Sequence, residues 1–235
     1  MSQLGDELAF VPEQFSGRAR LFPLPNLVLF PNVVQPLHIF EPRYVDLLHN
    51  ALEDDRLIAM SLLEGGWEAN YEGRPPIAPI ACLSRVLTWQ AQPGNRYNVL
   101  LLGLRRVRVL HELPPERPFR AAEVKILEDD YPTAAAAERP VLHRKLITAF
   151  EKMLPQIRDA EELFNQLSVN SISLGTLTDV ISYALDLDVP AKQLLLSEPN
   201  VDRRSTMLLS HLRSALRDCR PCSMASDFPP SFSNN

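Results

Sequence analysis

Cys219 and Cys222 carry the Cys-x-x-Cys spacing that binds zinc or exchanges a disulfide. A structural zinc takes about four ligands, and the third cysteine, Cys82, brings no second pair. The reading is two free thiols and no metal. The five histidines, His38, His49, His111, His143 and His211, never stand four apart, so no helical two-histidine ligand pair arises. His38, in an apolar run before Phe40, is expected to be packed and hydrogen-bonded. A phosphate cradle needs glycines that lead into a lysine, but the eight glycines here precede Asp, Arg, Gly, Trp, Arg, Asn, Leu and Thr. A serine–lysine hydrolase needs a lysine base. The four lysines, Lys125, Lys145, Lys152 and Lys192, fall on one predicted strand and on predicted helices, in no protease motif. No catalytic residue and no cofactor is assigned.

Recognition chemistry is better represented. Arg105, Arg106 and Arg108 form the densest basic cluster. They read either as an RNA contact or as a solvated strand face paired with carboxylates. A net charge of −5 and the lack of aromatics between the arginines favour the second. Trp67 and Tyr71 lie in a Gly/Pro-rich stretch, where aromatics either anchor a bound peptide or tuck back as a plug. With Phe40 and Tyr97 they are the candidate peptide-binding residues. Trp89, at a strand end, reads as structural, and Asp129-Asp130 as ordinary linker charges.

The elements that must position these residues change character along the chain. Arg20 to Phe40 gives short apolar runs broken by Pro23, Pro25, Pro31 and Pro36, which forbid a helix and fit strands with tight corners. Pro42 suits a first helical position, and Tyr44, Leu47, Leu48, Ala51 and Leu52 form one apolar stripe. Strands are predicted over 57–63, 80–90, 97–110 and 119–127, with a long loop over 64–79. Val99 to Leu102 predicts burial on both faces, and the alternation after it predicts burial on one; Gly103, at the switch, is a candidate bulge. From Val141 the periodicity is helical. Thr176 and Asp179 are a candidate cap pair, Pro190 restarts a short helix, and Asn200 caps the last one. Strands first and helices second predict an α+β fold.

Met1 to Phe10 carries Asp6 and Glu7 and no apolar run behind a basic cluster, and no stretch approaches the roughly 20 apolar residues of a membrane span. A cytoplasmic protein without membrane association is expected, and the negative balance makes nucleic acid a poor default partner.

Three segments together resemble a known family. Leu21 to Asn32 reads Leu-Phe-Pro-Leu-Pro-Asn-Leu-Val-Leu-Phe-Pro-Asn, and Pro36 to Tyr44 reads Pro-Leu-His-Ile-Phe-Glu-Pro-Arg-Tyr. Gly94 to Arg108 carries a Gly-x-Arg-Tyr hairpin and a Gly-x-x-Arg strand. These resemble the amino-terminal, substrate-binding domain of Lon proteases, also found in cereblon and in bacterial proteins that carry it alone. Leu174 to Leu196 resembles the helix pair that closes the domain and Asn200 to Leu216 the helix after it, so the likeness runs from about Arg20 to Leu216. Ala81-Cys82 departs from a frequent Gly-Thr. Asn32 replaces a common glycine and tolerates a left-handed backbone.

The resemblance implies an N-terminal PUA-like β pseudo-barrel with one packed helix, then a C-terminal helical bundle. The division read from the sequence is a lead-in over 1–19, a strand-rich part over 20–130, a helical part over 131–217 and a disordered tail over 218–235. The resemblance further implies a non-catalytic module for unfolded or degron-like polypeptides, held in a groove between the two halves. It would serve as an adaptor in protein quality control, alongside a full-length Lon protease. RNA binding by the PUA-like barrel is the alternative.

Overall fold

The computed structural model describes residues 10–153, 172–217 and 233–234. Its strands are β1 (Arg18–Leu24), β2 (Val34–Ile39), β3 (Leu57–Leu62), β4 (Ile80–Gln92), β5 (Arg96–Glu112), β6 (Arg120–Leu127) and the two-residue β7 (Ser233–Asn234). Among the described residues there are five α-helices: α1 (Pro42–Leu52), α2 (Arg139–Glu151), α3 (Leu174–Ala184), α4 (Val189–Ser197) and α5 (Val201–Arg217). Pro23 lies beyond the part of β1 that pairs with β6, and Pro36 lies in β2 near the sheet's rim. Neither position has to donate to an inner ladder.

The sheet runs β4-β3-β1-β6-β5-β2-β7, and β4 also pairs with β5. Strands β1, β3, β4, β5 and β6 thus close a ring, with β2 attached outside it on β5. The β1–β3 and β2–β7 pairings are parallel and the rest antiparallel. This is the expected α+β arrangement with a pseudo-barrel.

Alternation along the ring strands separates two cores. Leu21, Leu57, Leu83, Leu104 and Val107 cluster with Ala19, Ala59, Ala81 and Ala122 and with no helix residue, so this cluster fills the ring. Five strands enclose a narrow space, which is why alanine stands at four of its positions. The alternate residues, among them Phe22, Ile58, Met60, Ile80 and Cys82, point outward into a second core that includes all of the helices. Helix α1 adds Tyr44, Leu47 and Leu48 to it, each at most 2 % exposed. Burial of such side chains contributes about 1.5–3 kcal/mol apiece.

Strand β5 differs from expectation. Leu100 and Leu102 are only half-buried, while burial is continuous at Gly103–Leu104 and at Arg106–Val107. The continuous burial comes from a bulge: Ser84 pairs with Gly103 but Leu83 pairs with Arg105, which leaves Leu104 as the extra residue. Gly103 is required there because a Cβ would lie 2.0 Å from the Phe30 carbonyl oxygen. The same approach lets the Gly103 carbonyl accept from the Asn32 N–H at 2.8 Å, and Asn32 holds a left-handed φ of 63°.

The helix caps follow local chemistry. Ser173 accepts from the Thr176 N–H at 3.0 Å, Asp188 from Ala191 at 2.7 Å, and Asn200 from Arg203 at 2.9 Å. The Thr176/Asp179 cap pair is therefore corrected: Ser173 is the cap, and Thr176 and Asp179 both lie inside α3, Asp179 on its buried face. Among the described residues, no helix is long and apolar enough to cross a membrane.

Candidate functional site

The four candidate aromatics fall around one corner, where β2 runs into α1. Phe40 follows β2, is 40 % exposed, and lies 6.0 Å from the His38 ring, centroid to centroid. His38 is held by Asn98 Oδ1 at 2.7 Å, as a packed histidine should be. Tyr97, on β5, pairs with Ile39, and its hydroxyl meets His49 Nε2 at 2.9 Å. The next residue after Phe40, Glu41, takes hold of the long loop. Its carboxylate accepts from the Tyr71 hydroxyl at 2.7 Å and from Arg43 at 2.9 Å. Arg43 stacks over the Tyr71 ring at 4.5 Å and donates to the Tyr71 carbonyl at 3.1 Å. Trp67 packs edge-on against Tyr71 at 5.4 Å. Of the two readings left open for this pair, Tyr71 follows the tucked-in one. Partial burial and the bond to Glu41 raise its hydroxyl pKa.

A cleft of about 180 Å³ lies beside this loop. Pro23, Tyr44, Leu63 and Phe119 give it apolar surface, and Arg43, Arg74, Arg117 and Arg120 give it charge. Arg120 is bound by Glu112 and by the Pro75 carbonyl, and Arg74 lies 3.6 Å from Glu112. Arg117 is exposed and has no ion-pair partner among the described residues. The volume falls below the roughly 300–1,000 Å³ of small-molecule sites, so the cleft suits one side chain better than a cofactor. Sequence reasoning missed it. The available signal was the Pro114-Pro115-Glu116-Arg117-Pro118 loop, whose stiffness fixes the second wall.

The arginine cluster does not form one surface. Arg108 is exposed, and Arg105 is half-buried, 5.9 Å from the Phe10 ring. Arg106 is 3 % exposed. Its guanidinium donates to Asp179 in α3, to Asp129 and to the Leu196 carbonyl. Arg204, in α5, bonds Asp129 at 2.9 Å, and its Nε lies 3.2 Å from Asp179 without a hydrogen bond's alignment. Two cations and two anions thus neutralise one another between ring and helices. Burial opposes the Arg106 cation, but Asp179 and Asp129 outweigh it and raise its pKa. Arg106 is therefore corrected from the solvated strand face, and from its alternative of a nucleic-acid contact, to an internal tie, and Asp129 from a linker charge to part of that tie. Gly175 permits the arrangement: a Cβ there would meet Asp129 Oδ2 at 2.4 Å.

Further contacts join the helices to the strands: Tyr183 donates to Gln35 at 2.9 Å and Gln193 to the Ile80 carbonyl at 2.8 Å. Trp89 is 44 % exposed, with Arg56 at 5.6 Å from its ring. Lys192 donates to the Tyr183 carbonyl at 3.1 Å, and burial lowers its pKa. Cys82 is buried, which pushes its thiol pKa up. Cys219 and Cys222 lie outside the described residues. Among the described residues no group of three or more His, Cys, Asp or Glu is placed to hold a metal ion.

Comparison with known proteins follows the same outline. A Lon protease from Cytophaga hutchinsonii is 27% identical over 213 residues, covering 87% of this chain and 25% of its own length. Lon protease 2 from Herpetosiphon aurantiacus is 28% identical over 190 residues, covering 78% and 22%. The chain thus spans about a quarter of the length of these relatives. Among solved structures, the N-terminal domain of a Mycobacterium avium complex Lon protease superposes with a TM-score of 0.66 at 15% identity, over 83% of this chain and 98% of that one. A Lon N-terminal domain protein from Xanthomonas campestris gives 0.58 at 22%, over 82% and 97%. The family described as the ATP-dependent protease La (LON) substrate-binding domain matches residues 18–214. This chain belongs to the Lon substrate-binding domain family.

Proposed function

We propose that the protein binds non-native polypeptides without catalysing a reaction on them, as an adaptor or modulator in protein quality control. The observation that carries the reading is the match to a substrate-binding domain from residue 18 to residue 214, through both the ring and the helices. The β2–α1 corner supports it. Phe40 offers exposed aromatic surface, and the neighbouring cleft accepts one side chain beside the free Arg117. Contacts of this kind favour broad, weak recognition, because few polar groups dictate a sequence. A full-length Lon protease is the partner such a module would serve.

Calorimetry with reduced, carboxymethylated α-lactalbumin tests the reading. Binding of the unfolded protein, and not of its folded form, is expected; absence of heat with both would refute it. Size-exclusion chromatography with a full-length Lon protease tests the partner, and a common peak is expected.

A further inference from the structure

The rim of the sheet is already occupied by the chain's own residues. Ser233 and Asn234 form β7, which lies parallel to β2 in the register Leu37↔Ser233 and His38↔Asn234. On its other side β2 is fully paired with β5, from Val34↔Leu102 to Ile39↔Tyr97. An edge strand offers unpaired N–H and C=O groups to any extended chain. Here the offer is confined to a short window. Upstream, Pro36 has no N–H, and its carbonyl already accepts from the Gln35 amide at 2.7 Å. Downstream, Pro42 starts α1. The usable edge is therefore Leu37–Phe40, and β7 sits at its Leu37–His38 end.

The outward row of β2 supplies what a strand-addition site needs besides the ladder. Val34, at the start of β2, is 42 % exposed and Phe40, just past its end, is 40 % exposed; between them His38 is half-buried and Gln35, Pro36, Leu37 and Ile39 are buried. Main-chain hydrogen bonds give such a site affinity for any extended segment, and flanking apolar side chains add to it.

We propose that the Leu37–Phe40 edge of β2 is a strand-addition site for extended polypeptide, and that the segment at Ser233–Asn234 is an internal competitor that must leave before a ligand pairs there. The inference rests on the polypeptide-binding reading and adds to it the mode of binding and its regulation. The ligand class is any segment of a few residues with free backbone amides and no proline in the paired stretch.

The test uses the full chain and a full-length variant carrying Ser233→Pro and Asn234→Pro, which removes the two amides from β7 and leaves the folded body unaltered. Two readouts are taken: hydrogen exchange over Leu37–Phe40, and anisotropy of fluorescein-labelled carboxymethylated α-lactalbumin. The variant is expected to exchange faster at Leu37–Phe40. It should also bind the unfolded polypeptide at least about threefold more tightly, since a tethered competitor acts at an effective concentration in the mM range. Bound polypeptide should slow exchange at Leu37–Phe40 again. Unchanged exchange in the variant overturns the proposal. Equal binding by both chains also overturns it and leaves polypeptide binding intact. If neither chain binds while exchange still rises, the proposed function fails and takes the ligand half of the inference with it.

Discussion

Arg106 in β5 and Asp179 in α3, 73 residues apart in sequence, are joined by paired hydrogen bonds in a nearly dry interior. Removing one member of a buried pair strands the other charge, so Asp179→Ala is expected to destabilise the fold by about 3–5 kcal/mol. Arg106→Met together with Asp179→Leu leaves Arg204 and Asp129 still matched and should recover much of that loss. Urea denaturation of Arg106→Met, of Asp179→Leu and of the two combined measures the coupling, expected at roughly 0.5–3 kcal/mol.

Gly103→Ala should cost at least about 1–3 kcal/mol, because the new methyl meets the rigid Phe30 backbone 2.0 Å away and not a yielding side chain. A melting temperature within error of the parent protein's would show that the β5 bulge lies elsewhere.

Ser173→Ala is expected to lose about 1 kcal/mol, the usual worth of an N-cap. Thr176→Ala should lose less, since Thr176 supplies the capped N–H from its main chain, which alanine retains. Chemical denaturation of both variants checks the order.

Burial raises the hydroxyl pKa of Tyr44, Tyr71 and Tyr183 above the ordinary 10.0. Tyr44 donates to the Pro23 carbonyl at 3.0 Å and Tyr183 to Gln35, bonds that ionisation removes. In the unfolded chain these hydroxyls lose their protons at about 10. The stability they contribute is therefore complete below pH 10 and falls as pH climbs above it. Denaturation midpoints measured on both sides of pH 10 should show the decline, and it should be shallower in Tyr183→Phe.

Phe40→Ala is expected to weaken binding of unfolded polypeptide by about fivefold or more while altering stability by no more than about 0.5 kcal/mol, because its ring is substantially exposed. Anisotropy and thermal melting read the two effects separately.

Much of the fold was legible because its signals are local. Pro31 separates the first two strands, Pro42 opens α1, and Asn200 caps α5, whereas Pro23 and Pro36, expected as breaks, lie inside β1 and β2. Arg106 shows where locality fails. Val99 and Leu101 face the helices, so strict alternation would send Arg105 there. The extra residue at Leu104 reverses the parity and places Arg106 opposite Cys82, on the helix side. Gly103 hinted at the bulge, but the carboxylates that make a buried arginine tolerable come from distant elements. The candidate aromatics were found by type alone. Their arrangement depends on Glu41, which bonds Tyr71 across 30 residues. The cleft wall at 113–119 lacked any periodic signal.

The pairing that closes the ring sets a timetable for synthesis. Arg18 in β1 meets Glu123 in β6, and until that stretch has left the ribosome β1 has only β3 to pair with. A nascent chain paused before residue 120 therefore displays one side of β1 as a bare template. Any stall or premature stop in that interval yields a fragment prone to stick to its neighbours.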